Sequence, residues 1–111
     1  MGDRSNIAIE YSSGETIYLY GHWLGDDNVS IVAEAIREGR RLDDESYLAR
    51  IIFSKMIARD IDSDTGFGIA PYRTDDEYDL ITICPSKNWI EIEGEPRLTF
   101  AEFANEHALT P

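Results

Sequence analysis

"NIAIEYSSGETIYLYGHW", residues 6–23, carries the pattern from which the fold follows. Ile7, Ile9 and Tyr11 alternate with Ala8 and Glu10. After Ser12-Ser13-Gly14-Glu15, Ile17 and Leu19 alternate with Tyr18 and Tyr20. Two period-two runs around a glycine-containing turn predict a β-hairpin. In the last six residues the same alternation puts Tyr18, Tyr20 and His22 on one face, and Ile17, Leu19 and Trp23 on the other. The aliphatic face belongs to packed helices. The Tyr-Tyr-His face must then be wet, covered by a partner chain, or one wall of a binding site.

The period then changes. In "DDNVSIVAEAIREG" the residues Val29, Val32, Ala33 and Ile36 follow helical spacing. Asp26, Asp27 or Asn28 is the expected cap and Gly39 the stop. A second helix is expected near 44–59, with acids in its first turn and Lys55 and Arg59 late, as the macrodipole prefers. Leu48, Ile51, Ile52, Phe53, Met56 and Ile57 cover most of its circumference, which predicts a central, largely buried helix. Arg50 falls on its narrow polar stripe with Ser46 and Ser54; an ion pair with Asp3 or Glu45 is its plain structural role.

Three further strands are expected in "GFGIAPY", "YDLITIC" and "WIEIEG", the first two joined by an acidic turn at Thr74–Glu77. Trp89, Glu91 and Glu93 alternate with Ile90 and Ile92, which predicts one wet face. Thr99-Phe100-Ala101-Glu102 is a capping box, with Leu98 and Phe103 placed as a hydrophobic staple, so a short helix starts near Phe100. The order ββααβββα predicts a single α+β domain over residues 1–111: an antiparallel sheet with helices on one face.

Composition limits the function. The 111 residues hold 22 acids against 10 bases, a formal charge of −12, so the mean field repels nucleic acid and anionic membranes. Eight of the ten bases are arginine; an Arg-rich, Asp-rich chain fits a GC-rich genome or a salty cytoplasm, and also a surface that mimics nucleic acid. No apolar run is long enough to span a membrane, and Met1–Asn6 lacks the apolar stretch of a signal peptide. Asp3 and the adjoining strand argue against a lipid anchor at Gly2. Cys84, the one cysteine, lies in an apolar run and is expected to be a small buried hydrophobe in a reducing, cytoplasmic setting.

Catalytic patterns are missing. His22 has no partner at a recognisable spacing, and His107 is expected to be solvated near the end of the chain. No metal or cofactor is expected. Asp60-x-Asp62-x-Asp64 begins like a calcium loop, but Thr65 stands where the loop needs glycine and Pro71 where it needs glutamate. Gly66-Phe67-Gly68 opens no helix and is expected to start a strand.

Four segments, in order, resemble a family of small proteins from tailed phages and prophages. "GDRSNI" is similar to a GDRANI opening, "YLYGHWLG" to YLYTHW-GG, "YLARIIFSKM" to YLARIIF, and "TGFGIA" to TGFGIS. The resemblance spans residues 2 to about 83; Gly21 departs from the family's Thr and Leu24 from its Gly. It implies origin more than activity: a small accessory protein, non-catalytic, acting in the host cytoplasm against host defence. The positions it marks are Arg4, Asn6, Tyr18, Tyr20, His22, Trp23, Arg50, Gly66 and Gly68. Arginine for phosphate and aromatic rings for a base make a pocket that sequesters a nucleotide-type signal the first functional expectation. An acidic module that blocks a host protein, with nucleic-acid mimicry as one means, is the alternative. The aromatic face and open sheet edges also predict a homo-oligomer, most simply a dimer.

Overall fold

The computed structural model describes residues 3–25, 27–58 and 60–107. The hairpin forms as β1 (Ser5–Glu10) and β2 (Thr16–Gly21), paired antiparallel from Ser5↔Gly21 to Glu10↔Thr16. Two helices follow, α1 (Asp27–Glu38) and α2 (Glu45–Met56). Then come β3 (Phe67–Ala70), β4 (Ile81–Cys84), a 3₁₀ turn at Pro85–Lys87, β5 (Trp89–Ile92), β6 (Leu98–Thr99) and α3 (Phe100–Glu106). The protein is an α+β domain, and its six strands lie in the order β3-β2-β1-β4-β5-β6.

Alternation works as the hairpin promises. Ile7, Ile9 and Leu19, with Ile81, Ile83 and Ile90 from β4 and β5, all lie within 2 % of full burial. They meet Val32, Ala33 and Ile36 of α1, Leu48, Ile52 and Met56 of α2, and Phe100 and Phe103 of α3 in one core. Each such side chain contributes about 1.5–3 kcal/mol on leaving water. The helices therefore cover the face that carries Ile7 and Leu19. Asp44 caps α2, its carboxylate accepting from the Tyr47 amide. Gly39, at φ +69°, ends α1 in the left-handed conformation that glycine adopts without strain.

The sheet is mostly antiparallel. One pair departs from the expected pattern: β4 runs parallel to β1, with Ala8 beside Thr82. The acidic turn at Thr74–Glu77 accordingly does not join two neighbouring strands, because β2 and β1 lie between β3 and β4. It belongs to a crossing segment, residues 71–80, that leaves β3 at one edge and reaches β4 beyond β2 and β1. Three strand spacings of about 4.8 Å separate β3 from β4, well within the reach of ten residues. The crossing passes over the face away from the helices, where Glu77 donates its amide to the Arg4 carbonyl at 2.9 Å.

Two expected details change. Asn28 is no cap: it lies inside α1, buried, and its amide donates to Ser5 Oγ at 2.7 Å. His107 is not solvated, for its ring stacks on Phe103 at 4.4 Å and its Nε2 is buried. Asp26 and Arg59 lie outside the described residues.

The capping box is complete. Thr99 Oγ1 accepts from the Glu102 amide at 3.1 Å, and Glu102 Oε1 accepts from the Thr99 amide at 2.9 Å. Thr99→Ala should cost about 1 kcal/mol and lower Tm by about 4 °C. Calorimetry checks this; an unchanged Tm would mean that the cap does not hold α3 on the core.

Candidate functional site

The sites read from sequence divide between two faces. On the outer sheet face β1 sets Asn6 beside Tyr20, and Ala8 between Tyr18 and Thr82. Asn6 is fully buried. Its amide donates to the Thr74 carbonyl at 3.0 Å and to Asp76 Oδ2 at 2.7 Å, and its oxygen accepts from Thr74 Oγ1 at 3.1 Å. Arg73 fixes the same segment, with bonds of 3.1 Å to each Asp76 oxygen and bonds of 3.1 and 3.2 Å to Glu93. The guanidinium holds Glu93 below the usual carboxylate range, aided by the Leu80 amide, and is itself held more firmly protonated by Asp76 and Glu93.

Arg4 does stand near Tyr20, as the sequence suggests. Its guanidinium faces Asp75 at 3.8 Å and Glu77 at 3.7 Å, so acids of the crossing segment already neutralise it. Burial is the main cause that raises the Tyr20 pKa; Arg4 opposes it, and Asp75, Asp76 and Glu77 add to it. The neutral phenol lies 2.8 Å from His22 Nδ1. The phenol donates to Nδ1 in the tautomer that carries its proton on Nε2, and accepts from Nδ1–H in the other.

Trp23 continues from that pair, its ring edge-on to the His22 imidazole at 5.1 Å. Half-exposed, it meets Phe67 edge-on at 6.0 Å, on the side of α1 and α2. Gly66 follows from it. At φ +98°, a Cβ on Gly66 would fall inside the Trp23 ring. Gly68 pairs with Tyr20 and has open space where a Cβ would stand.

Arg50 does not join Arg4. It is exposed on α2, over the opposite face, and its only partner among the described residues is Ser54 Oγ at 3.3 Å. Neither Asp3 nor Glu45 pairs with it; Glu45 instead accepts from Ser12. Arg50 borders a hollow of about 460 Å³ with Arg40, Arg41, Tyr47 and Ile51, where α1 hands over to α2. Arg41 holds a left-handed backbone at φ 58°, a strained choice for a residue with a Cβ. Its guanidinium is clamped between Asp44 Oδ2 at 2.9 Å and the Tyr47 ring at 4.2 Å. The Tyr47 amide, first, and Arg41 hold the Asp44 pKa low. Arg40 rests on Glu38 at 3.0 Å. The hollow thus gathers three arginines and one half-exposed phenol, a set suited to an anion with a flat ring.

Sequence reasoning missed Arg40, Arg41 and Tyr47. "GRRLDDESY" (39–47) holds the signal, two adjacent arginines and a tyrosine across a helix start, but the adjoining acids mask it. No protein-family model matches the chain, and no curated protein or solved structure matches it.

Gly66→Ala should destabilise the fold by at least about 2 kcal/mol, through left-handed strain and the displaced indole. Gly68→Ala should stay within about 0.5 kcal/mol of the parent or gain slightly. Denaturant titrations followed by tryptophan emission compare the two; equal effects would contradict the Trp23–Gly66 packing.

A second expectation concerns alkali. An unfolded tyrosine ionises near its ordinary pKa of about 10, before the folded Tyr20 does, so above that pH the native state holds the extra proton. Stability should fall as pH rises from about 10 through the folded pKa, and Tyr20→Phe should flatten that slope. An identical slope in the variant would overturn the assignment.

Proposed function

We propose that this chain is a non-catalytic binding protein that holds a phosphate-bearing, nucleotide-type ligand in the arginine–tyrosine hollow between α1 and α2. One observation carries the reading: Arg40, Arg41 and Arg50 converge with Tyr47 on one hollow, in a chain of net charge −12. On the sheet face Arg4 and Arg73 face two carboxylates each, whereas Arg50 faces none among the described residues. The site proposed for the "YLYGHW" strand therefore moves across the molecule, and Arg50 is the residue that both versions share.

Magnitudes favour local attraction over global repulsion. Charges more than about 8 Å away are largely screened at physiological salt. Each charge-assisted bond from arginine contributes about 1.5–3 kcal/mol, and stacking on Tyr47 adds about 1–3 kcal/mol. The ordered resemblance of four segments supports an origin in a tailed phage or prophage, and with it a role in sequestering a nucleotide signal of host immunity within the host cytoplasm. Among the described residues no helix is long and apolar enough to cross a membrane.

A second reading rests on the β3 edge. Ile69 and Tyr72 are exposed there, Trp23 meets Phe67 of the same strand, and exposed Ile61 with Asp60, Asp62 and Asp64 precedes them in the chain. An apolar edge with acidic flanks suits a host protein with a basic rim, or a second copy of this chain paired along β3. His22 donates to the Gly66 carbonyl, and antiparallel alternation from that pair leaves the Phe67 and Ile69 amides pointing outward.

Calorimetry against cyclic di- and trinucleotides and ADP-ribose tests the first reading. A panel member should bind and be recovered intact, with at least tenfold loss in Arg50→Ala and in Arg41→Gly. The glycine removes the guanidinium while relieving the left-handed strain, so a folding defect does not confuse the result. Binding that survives in these two variants, or no binding at all, would overturn it. Light scattering tests the edge: a concentration-dependent dimer that becomes monomeric in Ile69→Lys supports pairing through β3, and a monomer near 12.6 kDa at all micromolar concentrations rejects it.

A further inference from the structure

A second cleft, of about 230 Å³, opens where the start of α1 meets the end of α3 and the ends of β1, β4 and β5. Two of the residues that line it carry a buried polar atom without a hydrogen-bond partner among the described residues, Asn28 Oδ1 and His107 Nε2. Asn28 is only 2 % exposed, so its amide oxygen has no access to bulk solvent. Native proteins rarely leave such an acceptor unpaired, because an orphaned buried polar group is costly. Ser5 Oγ already accepts from the Asn28 amide, which frees the hydroxyl proton to donate elsewhere.

The rim has one sign of charge. Asp79 and Glu95 line the cleft, both exposed, and neither carboxylate has a cationic partner among the described residues. Among the described residues no lysine or arginine lines it. Val29, Ile81 and Ile92 supply apolar walls. The positive end of α1 also faces the cleft and opposes a cation, but it amounts to only about half a charge against two full carboxylates. Buried acceptors, anions at the rim and apolar walls between them select a donor-bearing cation with a short hydrocarbon body. The volume is below the about 300–1,000 Å³ of drug-sized pockets, so the ligand is small.

We propose that this cleft is a binding site for a small primary alkylammonium group, whose ammonium donates to Asn28 Oδ1 and His107 Nε2 under the field of Asp79 and Glu95. The site is separate from the arginine hollow in position and in charge preference. Each proposal stands or falls without the other.

Three probes with one body and different heads test it: n-butylamine, n-butanol and butyrate, titrated near neutral pH into the ¹⁵N-labelled protein and followed by NMR. Butylamine should shift the Asn28 side-chain amide and the Val29 amide saturably in the millimolar range, with at least tenfold weaker binding of butanol and none of butyrate. The double variant Asp79→Asn, Glu95→Gln, whose changes lie at exposed positions, should keep the parent Tm and weaken butylamine at least tenfold. Equal binding of butanol would reduce the site to an apolar hollow and overturn the proposal. So would binding of butyrate, unchanged affinity in the double variant, or no saturable shift from butylamine.

Discussion

Asn6 is the residue on which the arrangement of faces depends. It sits on the central strand, fully buried, with a side chain that needs both donors and acceptors satisfied. No neighbouring strand supplies them. Thr74 and Asp76 do, from the segment that carries the chain from β3 across β2 and β1 to β4. A parallel β1–β4 pair requires some crossing; the asparagine fixes where it lies. Each group left orphaned would cost about 1–3 kcal/mol, so the crossing is pinned more tightly than an exposed acidic segment would otherwise be.

Pinning the crossing also distributes the charge. It sets Asp75, Asp76 and Glu77 over the outer face, where they occupy Arg4 and Arg73. Anion-binding capacity on that face is therefore spent internally. On the helix side, Lys55 is shared between Glu34 and Glu38, and Arg40 and Arg41 hold one carboxylate each. Arg50 keeps its charge uncommitted. The hollow between α1 and α2 is thus lined by three arginines, of which Arg40 and Arg41 hold one carboxylate each and Arg50 holds none among the described residues.

Local patterns were legible in the sequence, and pairings over distance were not. Alternation in β1 and β2, the apolar circumference of α2 and the capping box at Thr99 each depend on residues within one or two turns of one another, so the chain states them directly. The β1–β4 pair joins residues more than 70 apart in the chain and leaves no local period. For the same reason Thr74–Glu77 reads as an acidic turn between two strands, although β3 and β4 are not neighbours in the sheet. Tyr20 and His22 do come together, yet Arg50 lies across the sheet from them, because α2 covers the opposite face. Asn28 and His107 look like a cap and a solvated end; only the packing of α1 and α3 around Ser5 and Phe103 buries them.

The most direct test of this account is Asn6→Ala, measured by denaturant unfolding together with amide hydrogen exchange. The account predicts a loss of at least about 2 kcal/mol, since Thr74 and Asp76 each lose a buried partner. It also predicts faster exchange at the Glu77 amide, which now donates to the Arg4 carbonyl. An unfolding free energy within about 0.5 kcal/mol of the parent, with Glu77 still protected, would contradict it.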